Sequence, residues 1–106
     1  MTLLLRNAAR VSVLTAGSPT LTNVPAVIGV PTAKDQDTYG GSVRHVVLID
    51  PLKDVHDCMP GYTLSILSWG QNAVDPARVY RVIESEPSGG LGLEVQRILI
   101  GEWIGR

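Results

Sequence analysis

Asp54-Val-His56-Asp57-Cys58 places oxygen, nitrogen and sulfur donors within five residues, the densest set of potential metal ligands in the chain. A structural zinc site usually takes four ligands as two spaced pairs. The remaining histidine, His45, falls inside a predicted strand, so the spacing predicts no metal site. The same residues offer Cys58 as a nucleophile with His56 as its base, but two positions apart on one short loop they lack a third group to orient the base. With no helix N-terminus or adjacent cations to depress its thiol, Cys58 reads as a small apolar residue at a loop-to-strand junction. Gly89-Gly90-Leu-Gly92 lacks the Lys-Ser/Thr ending and the following helix of a phosphate-cradling loop, and reads as turn glycine. Asp50, Asp54 and Asp57 lack the spacing and terminal Glu of a calcium loop. The expectation is a protein that is not an enzyme, with no catalytic residue, no metal and no cofactor.

The elements that would position these residues are strands. Residues 78–83 (Arg-Val-Tyr-Arg-Val-Ile) and 91–100 (Leu-Gly-Leu-Glu-Val-Gln-Arg-Ile-Leu-Ile) flank Glu86-Pro-Ser-Gly-Gly90, which predicts an antiparallel hairpin with its turn at 86–90. Val11 and Val13 alternate with Ser12 in a first short strand. Residues 21–30 hold Val24, Ala26, Ile28 and Val30 on one parity, but Pro25 removes a backbone donor, so this is predicted as an edge strand. Residues 32–42 have almost no aliphatic content and are predicted as one long exposed loop, with Tyr39 beside Gly40 and Gly41 as a contact element. The unbroken run at 46–49 calls for a central strand covered on both faces. Tyr62, Leu64 and Ile66 alternate inward against Thr63 and Ser65. Five to six strands without a helix-length pattern predict an all-β fold, a small antiparallel β-barrel or sandwich with one long loop, in a single domain of residues 1–106.

Composition narrows the classes of function. With 44% hydrophobic and 18% charged residues, the chain lacks the signature of disorder. Nine basic against ten acidic residues give a net charge of -1, so no global positive field collects nucleic acid or an anionic membrane. Seven of the nine cations are Arg, the residue that interfaces favour. Arg44, Arg78, Arg81 and Arg97 are expected to alternate outward and balance Glu84, Glu86 and Glu94 across the sheet. A lone cysteine fits a reducing compartment, and Leu3-Leu-Leu5 without preceding basic residues predicts neither a signal peptide nor a membrane span. Leu3-Leu-Leu5 at one end and Ile98, Ile100, Trp103 and Ile104 at the other put large apolar side chains where chains usually fray. Contact with a neighbouring subunit is therefore expected there.

From residue 46 to 103 the order of features resembles the head-completion proteins of tailed bacteriophages, the stopper, head-tail adaptor or head-closure connectors. The residues that carry the resemblance are Val47-Leu-Ile49 before a short acidic connection, Asp54-Val55, Gly61-Tyr-Thr-Leu64, Val79-Tyr-Arg-Val-Ile83, a Gly-rich turn and Leu93-Glu-Val-Gln-Arg-Ile-Leu99. Many such proteins carry a Gly-Asp step where this chain has Pro60-Gly61-Tyr62, which leaves a minor tail or neck subunit open. The resemblance implies a virion structural protein of the neck, assembled in the host cytoplasm. It implies a homo-oligomeric ring between the portal or adaptor and the tail terminator or tube, passing genomic DNA without sequence-specific binding, with no membrane partner. A barrel-type ligand- or nucleic-acid-binding module is the alternative reading of the Arg-bearing strands and the Tyr39 loop.

Overall fold

The computed structural model describes residues 9–15, 18–39, 42–69, 72–90 and 93–105. Six strands, β1 (Ala9–Thr15), β2 (Ser18–Gly29), β3 (His45–Ile49), β4 (Thr63–Trp69), β5 (Asn72–Gly90) and β6 (Leu93–Gly105), close an antiparallel barrel in the order β1-β2-β3-β6-β5-β4. Among the described residues no helix is long and apolar enough to cross a membrane.

Strand alternation fills the barrel. Val11 and Val13 of β1, Val47 and Ile49 of β3, Leu64 and Ile66 of β4, and Ile98 and Ile100 of β6 form one buried cluster, with Tyr62 packed against it. Ile98 and Ile100, expected at an interface, are fully buried inside this barrel. They have the inward parity of a strand between β3 and β5, so their apolar surface is covered by their own chain. Val46 and Leu99 face the other way and are also buried, with Val43, in a second cluster outside the barrel wall. The unbroken 46–49 run thus has cover on both faces.

The outer face carries a helix where a loop was expected: α1 (Ala33–Tyr39). Its start is specified locally. The Asp35 carboxylate accepts from the Thr32 backbone N–H (2.9 Å) and the Thr32 hydroxyl (2.9 Å), while the Asp35 N–H donates back to that hydroxyl (3.2 Å). This is a capping box with Asp in the usual Glu position. The helix is held to the barrel by Asp35 against Arg97 of β6, and by Gln36 Nε2 donating to the Val43 carbonyl at 3.3 Å.

Two strands depart from expectation. β2 is an edge only in part: β3 pairs with Val27, Ile28 and Gly29, whereas β1 runs alongside from residue 18 to 26. Pro25 lies in the part with one described ladder, where a missing donor is tolerated. Residues 86–90 are not the turn but the end of β5, paired from Glu86↔Arg97 to Gly90↔Leu93. The connection shrinks to residues 91–92, outside the described residues. Because β4 pairs with β5 only as far as Arg81, and β3 with β6 only as far as Gln96, the far end of this hairpin runs past the barrel as a two-stranded ribbon. Pro87 lies in this ribbon, opposite Gln96.

Candidate functional site

Asp54 Oδ1 accepts from the His56 backbone N–H at 2.9 Å and lies 3.0 Å from His56 Nδ1. The carboxylate caps the 3-10 turn Val55–Asp57. Those two bonds, backbone first, hold its pKa below the ordinary value. The pair is exposed, and among the described residues no third group joins its hydrogen bonds. Cys58, by contrast, is 1% exposed and part of the barrel core. Burial pushes its thiol up to about 11 against a hydrogen bond from the Ser85 side. Nucleophile and base therefore diverge, one into the core and the other into water. Among the described residues no three His, Cys, Asp or Glu side chains gather in a way that would hold a metal ion.

A second constellation, missed in the sequence, closes one end of the barrel. His45 opens β3 with the inward parity of Val47, and its ring meets Trp69 edge-on at 5.2 Å and Tyr80 edge-on at 5.6 Å. Burial, then the nearby charges of Arg44 and Arg78, hold the imidazole below its usual pKa. The three residues come from β3, β4 and β5, so only the closed topology joins them.

Arg44 and Arg97, two of the four arginines named above, are engaged by carboxylates. Arg44 pairs with Glu102 at 3.1 Å, and Arg97 with both Asp35 and, at 3.4 Å, its cross-strand neighbour Glu86. Of the expected carboxylate partners, Glu84 instead accepts from the Ser85 N–H. Asp35 and Glu102 take roles that strand alternation did not assign. The Arg97 guanidinium, then the Thr32 N–H, hold the Asp35 carboxyl down at about 2.

Of the expected contact residues, Ile104 remains at the surface, 46% exposed beside a groove of about 370 Å³ that Ile83, Arg81 and Glu102 also line. Gly101 forms the floor there, where a Cβ would come within 3.1 Å of Ile83 Cδ1. Trp103 lies in β6 with its backbone opposite Tyr80, and Tyr39 ends α1; their side chains, like Gly40, Gly41 and Leu3-Leu-Leu5, lie outside the described residues. Among the described residues, the structure thus offers surfaces around a closed apolar barrel. Compared with known proteins, the chain matches no family model, no curated sequence and no solved structure.

Proposed function

We propose that the chain is a structural subunit of the head-to-tail connector of a tailed bacteriophage, forming a ring that joins portal to tail and helps to retain the genome. The observation that carries the reading is the β5–β6 hairpin, which closes the barrel and then outgrows it. Its segments at 79–83 and 93–99 are among those that carry the resemblance. A ribbon with open edges is suited to contacts with successive copies in a cyclic, head-to-tail assembly. The near-neutral charge suits a channel wall along which DNA slides without sticking. The same geometry serves a minor tail or neck subunit, which differs in the partner it joins. Pairing of Arg44 and Arg97 with carboxylates disfavours a nucleic-acid-binding face.

The test is co-assembly. Mixed with portal and tail proteins, the chain is expected to form rings at their junction, visible by electron microscopy. A stable monomer that joins neither would overturn the reading.

A further inference from the structure

An apolar groove of about 220 Å³ opens where β2 leaves β3, with Leu21, Val24 and Pro25 on one wall and Ile49, Pro51 and Leu52 on the other. A second, of about 280 Å³, lies between Pro51, Pro87 and Val95 at the foot of the β5–β6 ribbon. Pro51 lines both, so the two adjoin. Their linings carry Asp50, Asp57 and Glu94 against Lys53, an acidic balance. One wall is the part of β2 that has a described ladder on one side only, which leaves backbone groups available to an added strand.

Leu3-Leu-Leu5-Arg6 has the matching chemistry, three adjacent aliphatic side chains followed by a cation. From Ala9 back to Leu3 the chain spans at most about 21 Å when extended, long enough to cross from one molecule to another in contact with it. Direction selects the neighbour. Ala9 lies opposite Ala26, and β1 then passes Val24 and Leu21 in turn. The line of β1 continued before Ala9 leads away from Val24 and Leu21 of the same subunit, which favours a second copy.

We propose that residues 3–6 of one copy dock in the groove of the next, the Leu side chains against Leu21, Val24, Pro51 and Leu52 and Arg6 beside the acidic border. This deepens the self-association part of the connector reading and rests on it. The contact is heterologous, groove on one copy and segment on the next, so it repeats around a ring.

Disulfide trapping between differently tagged full-length copies tests it, since the native thiol of Cys58 is buried. A Leu4→Cys copy mixed with a Lys53→Cys copy is expected to give about tenfold more mixed disulfide than with a Lys34→Cys copy, because docking raises the local thiol concentration. Adding Arg6→Glu to the first copy is expected to reduce that yield. Equal yields with Lys53→Cys and Lys34→Cys would overturn the docking, as would a within-chain disulfide in monomers of the Leu4→Cys/Lys53→Cys double variant. If trapping fails while the chain still sediments as an oligomer, the docking falls and the connector reading stands. A chain that neither self-associates nor joins portal and tail proteins overturns both.

Discussion

The Asp35 carboxylate of α1 holds the Arg97 guanidinium of β6, joining residues 62 positions apart and tying the helix to the outside of the barrel. Asp35 is 7% exposed and also closes the capping box that starts α1, so one side chain both builds the helix and docks it. Its folded pKa of about 2 lies below the ordinary 3.8. The stability it contributes is therefore present above pH 3.8 and is lost as pH falls toward about 2. That depression corresponds to about 2 kcal/mol. Asp35→Asn is expected to lower stability at neutral pH by about that amount and to flatten the acid limb, read by urea unfolding across pH. An unchanged acid limb would remove Asp35 from this role.

Much of the barrel follows from side-chain patterning, because a strand with a two-residue period declares its buried face. Val11 and Val13, Leu64 and Ile66 do so, and the unbroken 46–49 run announced its second cover. The helix escaped notice because residues 33–39 contain no large aliphatic side chain, and its stability comes instead from Thr32, Asp35 and the remote Arg97. The Thr32-x-x-Asp35 spacing was the available signal. The hairpin turn falls later than the sequence pattern suggests, since Pro87 and two glycines look like a reversal, yet an open strand edge accepts them equally well. The aromatic end and the apolar groove depend on which strands become neighbours when the barrel closes, and local pattern does not encode that.

Gly61 has φ +94, and a Cβ added there meets nothing within 4 Å. A substitution is opposed by backbone strain alone. Gly61→Ala is expected to cost about 1–2 kcal/mol. Gly29→Ala, with open space and no positive φ, is expected to be neutral or stabilising by less than about 1 kcal/mol. Chemical denaturation of the two variants distinguishes strain from packing, and equal effects would contradict the geometry.

His45 packs edge-on to Trp69 and Tyr80, and burial, then the charges of Arg44 and Arg78, lowers its imidazole pKa. A lowered folded pKa means that its contribution is complete above the ordinary 6.5 and declines as pH drops below it. His45→Phe keeps an aromatic ring and removes the proton. Thermal melts of that variant are expected to lose the pH dependence between 6.5 and the carboxylate range, while the unmodified chain retains it.

Cys58 is buried, with its thiol pushed up to about 11. At pH about 8 the thiolate fraction is of the order of one in a thousand even before burial restricts access. A thiol reagent such as DTNB is expected to modify the native chain only as fast as it unfolds, and rapidly in denaturant. Native labelling at the rate of free cysteine would restore the nucleophile reading of the 54–58 segment.

Ile98 and Ile104 lie on the same strand and differ in what covers them: the first is 0% exposed in the barrel core, the second 46% exposed beside the outer groove. Truncating a fully buried isoleucine removes its transfer free energy and leaves a cavity, so Ile98→Ala is expected to destabilise the chain by about 3 kcal/mol. Ile104→Ser touches no core contact, and its cost to the isolated chain is expected to stay within about 0.5 kcal/mol. If the outer groove meets a neighbouring subunit, the order reverses in assembly: Ile104→Ser weakens self-association in sedimentation, whereas any Ile98→Ala that remains folded associates normally. Comparable unfolding costs for the two variants would contradict the inward parity assigned to β6. A loss of association confined to Ile98→Ala would return that residue to the interface.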